Sequence, residues 1–223
     1  MKFLLINLIR KMPLMFIGFL PIYLIAYMTK EPFSFLIQRL LFFRQGGSFL
    51  LSFLSFYHLF VLYMGVGEII DVQKRLKTEW VIRMGDKKVF IKQGLVVILL
   101  SCLLFSILFF SIGLVSQAFD YSVVISSMRV TIALYFLYLI AIYFYSLLFY
   151  YLSMVMTIEK SLTIISLGIL ALILFNPTGL LINIVKSNIP WWGVALNIYI
   201  LGIFILIGNS LKKGIKMEVT DGN

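Results

Sequence analysis

The sequence predicts an all-α, polytopic membrane protein. Six transmembrane helices form one domain over residues 1–223, with an N-terminal interfacial helix and both termini in the cytoplasm. Three observations carry this expectation. The chain is 62% hydrophobic and 13% charged, with a mean hydropathy of +1.06. A soluble domain of this size cannot hide so much apolar surface. The apolar residues gather near 12–28, 49–67, 94–115, 130–152, 161–176 and 191–210, and a helix crosses a bilayer with about 20 of them. The cations, finally, fall mainly on one side of these stretches.

The first element is residues 3–9, apolar but too short to cross. Lys2 on one side and Arg10 and Lys11 on the other fit a short helix lying in the membrane interface. The run that follows is broken by Pro13 and Pro21, and no Ala-x-Ala-like cleavage site comes after it. It reads as a retained first span, not a signal peptide. Residues 32–44 carry Arg39 and Arg44 on an amphipathic pattern, as expected of a helix lying flat on the outer surface.

Span two opens with Ser48, Ser52 and Ser55 at helical spacing. Such a small-residue stripe lets helices approach closely, within the subunit or across a dimer. His58 follows, the chain's one histidine. It is a candidate for substrate binding or proton sensing, or a neutral histidine hydrogen-bonded to a neighbouring helix. Ser55 and His58 have no acidic orienter nearby, so a hydrolytic triad is excluded.

Between spans two and three lies the longest basic stretch, residues 68–93. Ile69, Val72, Leu76, Trp80 and Met84 recur at helical spacing. Asp71, Arg75, Glu79 and Arg83 alternate in sign at i,i+4. Span two is thus expected to continue into the cytoplasm as an amphipathic helix, until Gly85-Asp86 breaks it. Such a helix is either a solvated loop or a docking element. In the second case Trp80 and Met84 anchor a partner and Arg75 and Arg83 grip it.

Span three carries Cys102, which stands alone in the chain and so forms no intramolecular disulfide; it is expected to pack as a small apolar group. Span four is crowded with aromatics, among them Tyr135, Phe136, Tyr138, Tyr143, Phe144, Tyr145, Phe149, Tyr150 and Tyr151. Tyr135, Tyr138 and Tyr145, with Ile142 between them, form one stripe. A tyrosine-lined face suits an amphipathic cargo, or ordinary helix packing in which each phenol finds a partner. Asn176-Pro177-Thr178-Gly179 closes span five and Ile189-Pro190 precedes span six. Trp191 and Trp192 open that last span, where an indole belt meets the outer interface.

Orientation follows from the cations. With the N-terminus inside, fourteen of the 19 Lys and Arg lie on the cytoplasmic side: Lys2, Arg10, Lys11, Lys74, Arg75, Lys77, Arg83, Lys87, Lys88, Lys92, Lys160, Lys212, Lys213 and Lys216. The other five, Lys30, Arg39, Arg44, Arg129 and Lys186, lie outside. The net charge of +10 therefore reports topology, and no basic folded module for nucleic acid is present.

Six spans, cytoplasmic termini, an interfacial N-terminal stretch and a basic helical segment after span two resemble the ABC transporter type-2 permeases. The local likeness runs from Glu68 through Lys77-Thr78-Glu79 to Gly85-Asp86-Lys87-Lys88 and Lys92. That family often has a Gly-Thr pair and a Pro-containing turn in the comparable segment. This chain has Thr78 without the Gly, and Met84-Gly85-Asp86-Lys87 where the turn would be. The resemblance implies a permease subunit of an ATP-driven exporter moving amphipathic peptides, antibiotics or lipids. It also implies a second permease copy or paralogue and a separate cytoplasmic ATP-binding subunit holding ATP and Mg. Arg75, Glu79, Trp80, Arg83 and Asp86 are the contacts it implies with that ATPase. The expected setting is a bacterial plasma membrane, with lipid around the bundle.

The chain has no Gly-x-x-x-x-Gly-Lys-Ser/Thr loop for nucleotide phosphates. One His and one Cys cannot make a His/Cys zinc site, and no Asp or Glu sits mid-span for a proton relay. The expectation is a non-hydrolysing transport subunit with no cofactor of its own. The competing readings are a six-span membrane enzyme acting on lipids or peptides, and an immunity or scaffold protein without an ATPase.

Overall fold

The computed structural model describes residues 6, 10, 13, 17–24, 57–67, 70, 71, 87–117, 128–175 and 191–220. Every regular element among them is helical. In chain order these are α1 (17–24), α2 (Tyr57–Gly67), α3 (Lys87–Gln117), α4 (Met128–Val155), α5 (Ile158–Phe175) and α6 (Trp191–Thr220). Each falls on one of the six apolar stretches. Two described stretches are long and apolar enough to cross a membrane, Val89–Ser111 in α3 and Tyr135–Val155 in α4. Tyr57–Gly67 and Leu196–Lys212 are shorter apolar stretches.

The helices differ in extent from the apolar pattern. α3 starts at Lys87, seven residues before the span expected at 94–115. Nothing between Asp86 and Gly94 breaks a helix, and the extension is two-faced: Phe90 and Ile91 are buried while Val89 and Lys92 are exposed. α6 likewise runs on to Thr220, past the expected end at 210. A drop in hydropathy ends a membrane span without ending a helix. At about 1.5 Å per residue, the 31 residues of α3 measure roughly 46 Å. That exceeds the hydrocarbon core of about 30 Å. The 18 residues of α5 measure roughly 27 Å, close to that thickness.

Local signals account for the breaks. Only Met156 and Thr157 separate α4 from α5. Thr157 caps α5: its Oγ1 accepts the Lys160 amide at 3.4 Å, and its carbonyl accepts the Ser161 amide at 3.0 Å. Glu159 sits in the first turn, where a negative charge suits the helix dipole. Pro21, expected to interrupt its run, lies inside helical α1. A helix accommodates an internal proline where the freed backbone group finds another partner.

Contacts between named residues fix the helix directions. Phe110 meets Tyr135, Phe109 meets Tyr138 and Cys102 meets Ser146, so α3 and α4 are antiparallel. His58 meets Tyr138 and Tyr63 meets Phe149, so α2 runs parallel to α4. Phe19 meets Phe105 and Tyr23 meets Phe109, so α1 runs parallel to α3. The first four helices therefore alternate up and down. The end of α2, the start of α3 and the α4–α5 break lie together at one end. α4 is the hub, packed on α3, α5 and α6.

Close fit and polar pairs join these helices. Glycine makes two of the fits. A Cβ on Gly18 would lie 2.9 Å from Val61 Cγ1, and one on Gly202 would strike the Phe144 ring.

Candidate functional site

α1 to α4 converge on an aromatic cluster around His58. The imidazole is fully buried. Ring centroids of Phe109, Phe105 and Tyr138 lie 5.3, 5.5 and 5.5 Å from it, and Phe19 stacks at 6.4 Å. Phe109 in turn stacks on Tyr138 at 4.9 Å and 10°. α1 is tied in by the Tyr23 hydroxyl, which donates to the Phe109 carbonyl. Each aromatic pair contributes about 0.5–1.5 kcal/mol beyond simple burial.

The centre of the cluster is polar. His58 Nε2 and the Tyr138 hydroxyl are 2.5 Å apart and share a hydrogen bond between α2 and α4. If the phenol donates, Nδ1 carries a proton; if Nε2 donates, Nδ1 carries a lone pair. In either case Nδ1 has no partner among the described residues. Two more buried atoms share that condition, the Tyr63 hydroxyl and Gln93 Oε1. Tyr63 lies on α2 as His58 does, its ring 4.9 Å from Phe149 of α4.

A string of uncharged polar pairs runs along α4. Ser106 Oγ donates to the Tyr135 hydroxyl at 3.3 Å. The Cys102 thiol donates to Ser146 Oγ at 3.3 Å. The Tyr145 and Tyr199 hydroxyls, 3.1 Å apart, join α4 to α6. Ser153 turns back on its own helix, donating to the Tyr150 carbonyl at 2.8 Å. No Asp, Glu, Lys or Arg occurs in 17–24, 57–67, 93–117 or 130–158. No three His, Cys, Asp or Glu side chains gather among the described residues.

The structure brings two of the sequence-predicted residues, His58 and Tyr138, into direct contact. Tyr135 sits one turn away, half-buried beside Phe110 at 5.0 Å. Tyr145 lies on the same face of α4 but pairs with α6 instead. Of the other span-four aromatics, Phe136 is exposed, while Phe149 and Tyr150 are buried. Phe19, Tyr23, Phe105, Phe109, Tyr63 and Tyr199 complete the arrangement without having been singled out. Nothing in one helix's pattern marks a ring that serves another helix.

The expected ATPase contacts Arg75, Glu79, Trp80, Arg83 and Asp86 lie outside the described residues, as do the Ser48, Ser52 and Ser55 stripe and the 32–44 helix. Ile70 and Asp71 are helical, three and four residues past the end of α2. Of the interfacial stretch 3–9 only Ile6 is described; it is helical and exposed. No protein-family model, curated protein or solved structure matches this chain.

Proposed function

We propose that this chain is the membrane subunit of an ATP-driven exporter, moving amphipathic peptides, antibiotics or lipids out of the cell or its membrane. In this reading six helices cross a bacterial plasma membrane and both termini are cytoplasmic. A second permease, identical or paralogous, completes the path. ATP and Mg are handled by a separate cytoplasmic subunit, and this chain hydrolyses nothing.

One observation carries the reading. The helix directions gather the end of α2, the start of α3 and the α4–α5 break at one end, and α3 is a single helix from Lys87 to Gln117. Residues 68–86 join α2 to α3, so a force applied to them acts on two helices at once. A continuous helix carries displacement from Lys87 to Phe109 without a joint. The sequence puts Trp80 and the four basic residues Lys74, Arg75, Lys77 and Arg83 in this connection. Upstream, the neutral aromatic core offers contacts to an amphipathic cargo and no charge relay for ion coupling.

Co-purification from native membranes in mild detergent tests the proposal, with mass spectrometry and an ATPase assay on the complex. The expected result is a soluble ATP-binding protein that is lost when Trp80→Ala and Arg83→Ala are combined. Transport should fall to background in that variant while membrane insertion is unchanged. A chain recovered alone, without ATPase activity even after cross-linking, overturns the exporter reading. Undiminished transport in the double variant overturns the docking assignment.

A further inference from the structure

We infer that the α2–α4 interface is a binding site for an uncharged amphipathic molecule, held by His58 Nδ1 and the Tyr63 hydroxyl. Both atoms are buried and lack a partner among the described residues. Buried polar groups in folded proteins are nearly always hydrogen-bonded, so such an atom marks a place where a partner belongs. Here the two lie on one helix, five residues apart, which is about 7.5 Å of helical rise. Both side chains are turned toward α4: His58 reaches Tyr138, and the Tyr63 ring packs on Phe149. The interface thus already contains hydrogen-bonding capacity that its own helices leave unfilled.

The surroundings set the ligand's chemistry. Phe19, Phe105, Phe109, Tyr138 and Phe149 present rings and no formal charge. An ammonium or carboxylate placed here would be desolvated without a counter-ion. The fitting molecule has aliphatic or aromatic bulk and neutral amide or hydroxyl groups. Access to the two atoms requires α2 to separate from α4, because His58 and Tyr63 are both buried when the helices are together. That this molecule is transported cargo rests on the exporter reading; its binding is measured with no ATPase present, so the two can fail separately.

The test uses the full chain in lipid nanodiscs and an end-capped Leu-Ser hexapeptide carrying a dansyl group, followed by fluorescence anisotropy. Tyr63→Phe keeps the ring against Phe149 and removes only the hydroxyl. The expected result is about tenfold weaker binding, the worth of one hydrogen bond to a buried group. Thermal unfolding of the variant should be unchanged or shifted upward, since an unfilled buried group is lost. A fall in thermal stability would make the hydroxyl structural and overturn the inference. So would equal affinity in wild type and variant, absence of binding to wild type, or equally tight binding of a lysine-containing version of the probe.

Discussion

Tyr138→Phe isolates the one hydrogen bond that joins α2 to α4 at His58. The substitution leaves a ring of the same shape, still able to stack on Phe109 as Tyr138 does at 4.9 Å. It removes the hydroxyl lying 2.5 Å from His58 Nε2. His58 is fully buried and its Nδ1 already lacks a partner among the described residues. The imidazole would then sit among rings with neither nitrogen bonded. Leaving a buried polar group unsatisfied costs about 1–3 kcal/mol. Polar pairs between membrane helices average nearer 0.6 kcal/mol, with a maximum of about 1.7. We expect a loss of about 1–2 kcal/mol, toward the upper part of that range because the ring is fully buried. The assay is reversible unfolding in mixed micelles as denaturing detergent is added. A double-mutant cycle with His58→Leu assigns the loss to the pair: in the His58→Leu background, Tyr138→Phe should cost nearly nothing. An equal loss in both backgrounds, or no loss in the first, refutes the reasoning.

Two other substitutions test the packing and the cap. Gly18→Ala places a methyl group 2.9 Å from a branched valine and should destabilise by about 1–3 kcal/mol, whereas Gly168→Ala meets nothing within 4 Å and should be neutral; the same unfolding assay compares them. Thr157→Ala removes the side-chain cap of α5 and should cost about 0.5–1 kcal/mol, read as lower thermal stability, with Thr157→Ser restoring most of it.

How much of this was legible follows from the range of each interaction. Helix positions depend on composition over about 20 residues, and all six described helices fall on predicted stretches. Helix ends were less legible, because Lys92 and Lys212 lie in continuing helix where hydropathy drops. The His58 site was half legible. A lone histidine in an apolar run marks itself, and Tyr138 stood out through its stripe. Tyr63 did not, since it is one of 12 tyrosines and its distinction is a hydroxyl without a partner among the described residues. A missing partner is visible only once the helices are packed. The same holds for Gly202, whose contact with Phe144 depends on α6 crossing α4 at that level.

The position of Cys102 has a practical consequence. It is the chain's single thiol, fully buried between α3 and α4 and donating to Ser146. Maleimide reagents cannot reach it while those helices touch. The unaltered protein therefore contains its own gauge of helix separation: at saturating maleimide, where alkylation outpaces reclosing, the labelling rate is the rate at which that contact opens, and at low maleimide it reports how often the contact is open.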